Sequence, residues 1–528
     1  MLVYIHSAKC VGIEALPVTV EVDITRGIGI HLVGLADAAV KESLLRTVTA
    51  LQSIGFHIPG KKIVINLAPA DMRKNGSGYD LPIALGIIAG SEQRTLPRLG
   101  EFIVMGELGL DGSLRYVPGT LPVVELAQHL GYAGCILPEE AALEAVEYRQ
   151  TAIYGVKNLD DVLRILSDEA AEDLLIWHTE IYRNSSAGSG IRRSDAMDFS
   201  EIIGQEGAKR GIEIAAAGNH NAILIGPPGS GKSSLAKAMA DILPPMTLSE
   251  AITTSKIYSV AGRHGTRCGL IRERPFRAPH ISSSLAAMLG GGSGENIQPG
   301  EVSLAQNGIL FLDEYCEAPK SILEALRGPL EDRKVTISRL RSKVEYPASF
   351  MLVAASNPCP CGYYGEGDRC TCTAGQRASY LAKLSGPVLD RIDLQMFVSS
   401  VPASELLGRE RTERRETTAE VAVRVRKARD IQRERFAGEG IFTNAEMGNR
   451  LLERFCPLSE ACKTTLEQII VRLGLSARSY TRILKVARTI ADLEACTAEG
   501  KQPGPIEPKH LLEAAGYRFL DRSTLSEM

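Results

Sequence analysis

Gly226 to Ser233 reads GPPGSGKS, and no other stretch of the 528 residues restricts the fold so tightly. It satisfies G-x-x-x-x-G-K-[ST] at every fixed position. The apolar run NAILI (221–225) precedes it and LAKAMADIL follows it. Strand, glycine-rich loop and helix in that order predict a parallel α/β unit. Its loop, Gly226, Pro227, Pro228, Gly229, Ser230 and Gly231, turns backbone N–H groups onto phosphate oxygens, and the helix N-terminus adds a favourable dipole. Lys232 is placed to neutralise the β- and γ-phosphates of ATP, and Ser233 to ligate Mg²⁺.

A motor or switch needs groups that hydrolyse the bound nucleotide. ILFLDE (309–314) has the apolar content of a buried parallel strand and ends in two acids. Asp313 is expected to hold Mg²⁺ and Glu314 to polarise the attacking water. A third apolar strand, in SFMLVAASNP, ends at Asn357, where an amide can position that water. Arg391, in GPVLDRIDL just before another strand, is a candidate for reaching into a neighbouring subunit's site. Arg478, in LSARSYTRILKVA, starts a helix and is a candidate for the γ-phosphate of its own chain. Arg377 reads as an ordinary surface arginine.

Around this core the chain divides into residues 1–170, a linker 171–197 with the Ser/Gly-rich stretch NSSAGSG, a core 198–400, and a helical segment 401–528. In the first segment Val18, Val20, Val22 and Ile24 alternate with polar residues, as in a half-buried strand. Asp37 is an expected N-cap, Val40, Leu44, Val48 and Leu51 have helical spacing, and Gly55 is a stop. KKIVINL reads as a buried strand, YDLPIALGIIAG as a buried helix, and Ile103–Leu110 as a strand entering an Asp111-Gly112 hairpin turn. The net charge of −3 excludes a globally basic nucleic-acid binder, so any such contact must be local. No apolar run suffices to cross a membrane, and no secretory signal is visible at the N-terminus. The chain is expected to be cytoplasmic. Arg409 to Arg435 is rich in both charges and reads as salt-bridged helix surface, with DNA contact second.

Of the 11 cysteines, Cys359, Cys361, Cys370 and Cys372 form C-x-C…C-x-C. Four thiolates on two short turns can close a tetrahedral Zn²⁺ site. Reduced structural thiols or redox chemistry are the alternatives.

GPPGSGKS, RPFRAPH (274–280), PGEVSLAQNGILFLDE (299–314), NPCPCG (357–362) and LSGPVLDRIDL (384–394) together resemble the ComM/YifB family, the magnesium-chelatase-like AAA+ proteins of bacteria. The resemblance covers essentially the whole chain. It implies an α/β fold with an N-terminal Lon-protease-like domain, an AAA+ core carrying two insertions, and a C-terminal helical lid. It also implies a homo-oligomeric, hexameric ring that hydrolyses ATP and acts on single-stranded or branched DNA, as a helicase promoting branch migration in natural transformation. Lon-type proteolysis needs a Ser nucleophile and a Lys base. In KNGSGYDL, Gly78 falls where the Ser would be and Ser77 is one position off; Leu121 falls where the Lys would be. The domain is therefore expected to be non-proteolytic. Ile281–Pro299 and Val335–Tyr346 correspond to the two insertions. The second alternates like a hairpin whose tip, with Arg339, Arg341 and Lys343, could grip a phosphate backbone; ordinary surface charge is the alternative. A chelatase-type motor driving a partner and an ATP-dependent protease are competing functions. The first lacks a D-x-S-x-S metal-adhesion motif, and Gly78 and Leu121 oppose the second.

Overall fold

The computed structural model describes residues 1–34, 38–74, 76–186, 197–265, 267–292, 297–339, 342–384, 389–401, 415–497 and 504–521. The expected N-cap Asp37 and the hairpin residue Arg341 lie outside them.

The N-terminal domain is built on a seven-stranded mixed sheet. Its order is Gly29–Val33, Lys62–Ala68, Glu14–Thr25, Leu2–Val11, Phe102–Val104, Gly134–Pro138 and Ala152–Val156. Alternation places Val18, Val20, Val22 and Ile24 of the second strand on the buried face. There they meet the helices Ala38–Ser53 and Asp80–Gly90, the latter apolar on every side and buried almost throughout. The Asp111-Gly112 turn forms as expected, but its strand breaks. Phe102–Val104 stays in the main sheet, while Glu107–Leu108 pairs with Leu114–Arg115 as a separate small hairpin. Gly106 allows the break, since a Cβ there would lie 2.9 Å from Leu114 Cδ2.

The segment expected as linker is shorter than 171–197. Residues 172–186 form short helical turns and the helix Glu180–Ser186. Ile176 is fully buried, and Trp177 Nε1 donates to the Val146 carbonyl at 2.8 Å. Apolar side chains hold this stretch on the N-terminal domain, which leaves 187–196 as the part outside the described residues.

The ATPase core carries a five-stranded, all-parallel sheet ordered Phe276–Arg277, Ile309–Leu312, Met351–Ser356, Ala222–Ile225 and Leu394–Phe397. The strands are short, apolar and nearly all buried, as a sheet covered on both faces requires. The helix Glu206–Gly218 and the C-terminal helices Thr418–Arg435 and Ala477–Thr497 share one hydrophobic core with it. The charge-rich Thr418–Arg435 is largely a salt-bridged surface. Arg424 pairs with Glu213 and Glu416, Arg433 with Asp430, and Arg435 with the buried Asp492.

The N-terminal domain is docked on the core. Gly119 N–H donates to the Ser259 carbonyl (3.0 Å), Leu121 N–H to Ser259 Oγ (3.3 Å), and Gly269 N–H to the Leu143 carbonyl (2.9 Å). Lys256–Glu125 and Arg272–Glu147 ion pairs flank these bonds. Leu121, Val124, Ala251 and Leu270 share the apolar cluster between the two domains.

Candidate ATP-hydrolysis site

The nucleotide groups gather at the C-terminal edge of the parallel sheet because each follows directly on a strand. The glycine-rich loop leaves Ile225, Asp313 follows Leu312, and Asn357 follows Ser356. Register fixes their proximity, with Ile225 opposite Ser356 and Leu312 opposite Ala354. Gly226 has no space for a side chain, since a Cβ would lie 2.0 Å from the Val398 carbonyl. Gly231, at φ 90°, holds the left-handed conformation that starts the helix Lys232–Ile242.

Lys232 Nζ donates to the carbonyls of Gly226 (2.7 Å) and Pro227 (2.8 Å) and, more weakly, to Asn357 Oδ1 (3.4 Å). Partial burial draws its pKa below the usual value, against the pull of Asp313. Ser233 Oγ donates to Asp313 Oδ2 at 2.9 Å, so the two groups expected to share Mg²⁺ are already adjacent. Glu314 is exposed and sits in the left-handed region at φ 48°, with its N–H donating to Asp313 Oδ1 at 2.9 Å. The structure thus brings Lys232, Ser233, Asp313, Glu314 and Asn357 together.

It places Arg391 at the other edge. Arg391 precedes the strand Leu394–Phe397, and its carbonyl accepts from Asn221 Nδ2 (2.9 Å) at the start of the P-loop strand. Its side chain is buried against Glu331. Four strand residues, about 13 Å, separate that edge from the loop. Arg478 is exposed at the start of the helix Ala477–Thr497. One helical turn further on, Arg482 is ion-paired with Asp393, which also accepts from Asn221 N–H (3.1 Å). The helix Ala477–Thr497 thus runs beneath the sheet, and Thr489 bonds His220 Nε2 at 2.8 Å. Arg377 stacks on the Tyr364 ring and donates to the Cys372 carbonyl, a local structural role.

Sequence reasoning missed the buried network at this edge. Burial alone would raise the Asp393 carboxyl, but Arg482 and His220 hold it far below the carboxylate range. Burial lowers the His220 pKa, against the pull of the Asp393 carboxylate. The available signal was Asp393 two residues after Arg391, and Arg482 four after Arg478.

The four cysteines converge just beyond Asn357. Cys359, Cys361 and Cys370 sulfurs lie 3.4–3.8 Å apart, and all four sulfurs lie within 4.8 Å of one another. Zn–S bonds of about 2.3 Å in a tetrahedron put sulfurs about 3.8 Å apart, so the set fits that ion.

The second insertion is the hairpin Lys334–Arg339 with Ser342–Pro347, in which Arg339 pairs with Ser342. Arg339 is exposed beside the first insertion, where a Cβ on Gly291 would lie 3.7 Å from its Nη2. Lys343 stands back from the tip, 3.8 Å from Glu345, which also pairs with Lys334. In the N-terminal domain, Ser77 Oγ bonds the Glu107 carboxylate, and Leu121 is fully buried. No helix among the described residues is long and apolar enough to cross a membrane.

Three family models cover the chain. Subunit ChlI of Mg-chelatase matches residues 20–141, magnesium chelatase, subunit ChlI, matches 198–406, and its C-terminal model matches 415–518. The competence protein ComM of Haemophilus influenzae is 42% identical over 99% of this chain and 98% of its own length. An uncharacterized protein YifB of Escherichia coli is 40% identical over 98% and 97%. The magnesium-chelatase 38 kDa subunit of Rhodobacter capsulatus is 25% identical over 61% of this chain and 89% of its own. The chain belongs to the ComM/YifB family of magnesium-chelatase-like AAA+ ATPases.

Proposed function

We propose that this ATPase is a ring motor acting on DNA, a ComM-like helicase that drives branch migration. The observation that carries the reading is the hairpin's place in the chain. It follows the strand ending at Asp313–Glu314 after two short helices, Lys320–Ala325 and Arg327–Asp332, and returns into the strand ending at Asn357. A pull on Arg339, Arg341 or Lys343 would therefore pass along the return strand Met351–Ser356 to Asn357. The basic residues would bind phosphates without reading sequence.

In this reading Lys232 holds the β- and γ-phosphates, and Ser233 and Asp313 hold Mg²⁺. The bound ion neutralises charge on the phosphate oxygens. Glu314 polarises the water and Asn357 orients it. Arg391 must leave Glu331, itself more than half exposed, to stabilise the charge that develops in a neighbour's site. The cysteine set closes over a structural Zn²⁺ with no open position, fixing the loop after Asn357. The N-terminal domain is a non-proteolytic scaffold.

ATPase rates measured with single-stranded, duplex and four-way-junction DNA test the reading. Stimulation by DNA, greatest for the branched substrate, is expected. A rate indifferent to every DNA would sink it and favour a chelatase-type motor that answers to a protein partner.

A further inference from the structure

We infer that the junction between the ATPase core and the helical lid holds a binding site for inorganic phosphate, at the edge of the parallel sheet opposite the P-loop.

The site is a cavity of about 260 Å³ whose walls come from both parts of the chain. The core supplies Thr247, Ser249 and Arg274, and the lid supplies Arg429 and Arg433. Asn219 and Asn307 also line it, and they shortly precede the strands Ala222–Ile225 and Ile309–Leu312. The cavity therefore lies at the N-terminal edge, away from Lys232 and Asp313.

The charge in this cavity is unbalanced at Arg429. The residue is 7% exposed, on the helix Thr418–Arg435. Its Nε (3.0 Å) and Nη2 (2.8 Å) donate to the Ala216 carbonyl, and Nη2 also reaches Asn219 Oδ1 at 3.4 Å. These bonds cap the C-terminal end of the helix Glu206–Gly218, whose dipole offsets part of the charge. Among the described residues no carboxylate forms an ion pair with Arg429, and its Nη1 donates to no protein group. Burial and the neighbouring Arg274 draw its pKa down to about 9, against the pull of Glu446 and Glu250. Both of those acids are already engaged. Glu250 takes Arg274 through two bonds (2.9 and 3.1 Å), and Glu446 accepts from the N–H groups of Phe442 (2.9 Å) and Thr443 (3.0 Å). Arg433 pairs with Asp430 on its own helix. A buried guanidinium in this position is costly unless an anion meets it.

The core wall supplies donors of the kind an oxyanion takes. Thr247 caps the 13-residue helix Leu248–Val260, and the N–H groups of Leu248 and Ser249 fall in its first turn, where no helical carbonyl accepts them. The positive end of that helix and the free edge of Arg429 thus serve one cavity. A planar guanidinium and a helix N-terminus together suit a tetrahedral dianion better than chloride. Sites for drug-sized ligands start at about 300 Å³, so this cavity takes one phosphate group with a few waters and excludes a whole nucleotide. Because its walls belong to core and lid, bound phosphate ties one to the other.

Calorimetric titration of inorganic phosphate into the full chain tests the site, at constant ionic strength with chloride as the balancing anion. Lys232→Ala is carried throughout to weaken phosphate binding at the P-loop. About one phosphate per chain is expected. Arg429→Gln keeps a donor for the Ala216 carbonyl but loses the guanidinium, and should weaken phosphate at least about 10-fold. Thermal unfolding in chloride checks that this variant is folded, and phosphate should raise the melting temperature of the parent more than that of the variant. Arg433→Gln, at a partly exposed position, should weaken binding about threefold, and it decides alone where Arg429→Gln does not fold. Absence of phosphate binding would overturn the proposal. Binding that survives the arginine substitutions would belong to the P-loop and would overturn it equally.

Discussion

Glu144 lies where the N-terminal domain meets the ATPase core, and replacing it with Gln should make the protein more stable at alkaline pH. The residue is fully buried, and Tyr116 Oη donates to its Oε1 at 2.7 Å. Burial pushes its carboxyl up to about 7, and the hydroxyls of Ser259 and Tyr116 only partly offset that. An unfolded Glu titrates near about 4.3, and each pH unit of difference is worth about 1.4 kcal/mol. Ionised Glu144 therefore costs the fold about 4 kcal/mol. The sign follows from the folded group holding its proton more tightly. Its stabilising contribution is complete below about 4.3, declines as pH rises through 7, and is gone above it. Glu144→Gln keeps the shape and an oxygen for Tyr116 but cannot ionise. At pH 8 the variant should gain about 4 kcal/mol, and at pH 5 only about 1 kcal/mol. The single tryptophan, Trp177, packs on Val146 two residues away and reports this region's unfolding through its fluorescence in urea. Equal gains at pH 5 and pH 8, or no gain at pH 8, would refute the buried-carboxyl argument.

Other perturbations test the ATP site and its surroundings. Lys232→Ala should weaken ATP binding at least about 100-fold, since two charge-assisted bonds are lost; calorimetry reads this directly. Glu314→Gln should bind ATP normally and hydrolyse it about 10²- to 10³-fold more slowly, and normal turnover would remove Glu314 from the mechanism. Protein made without a histidine tag should carry about one zinc per chain, and four freely titratable thiols without metal would eliminate that site. Arg339→Ala with Arg341→Ala and Lys343→Ala should lower DNA affinity and flatten its salt dependence by about one unit per lost phosphate contact, leaving DNA-free ATPase intact. Within that set Lys343 should contribute least, because Glu345 already pairs with it.

The parallel sheet and the C-terminal edge of the site were legible because position along the chain dictates them. A P-loop, an acidic strand end and an amide strand end must coincide once their strands are parallel neighbours. The 3.4–3.8 Å spacing among Cys359, Cys361 and Cys370 was likewise foreshadowed by two C-x-C turns. Placement of the lid was not. Arg478 reads the same from sequence whether its helix lies above the loop or beneath the sheet. The choice depends on Asp393 and Arg482, 89 residues apart, and no local pattern connects them. The strand break at Gly106 was hidden for a similar reason, since Leu114, the side chain that makes it necessary, belongs to the returning strand.

The same long-range logic gives Leu121 a meaning its sequence alone does not. Where a Lon-type enzyme needs an accessible lysine, this chain has a side chain with no exposure, in the cluster that joins the two domains. Its N–H is bonded to Ser259, on the helix Leu248–Val260 of the ATPase core. A lysine there would carry an ammonium into an apolar joint, at a cost of several kcal/mol unless it lost its proton. Restoring a protease would therefore require opening the joint as well as supplying a nucleophile. Ser77 could not serve unaided, because its hydroxyl donates to Glu107. Leu121 helps hold the N-terminal domain against a helix of the ATPase core. Leu121→Lys should accordingly loosen the two domains without creating peptidase activity. Increased proteolytic nicking within 187–196, with casein hydrolysis still at background, is the expected pair of results, and casein cleavage by that single variant would refute the reading.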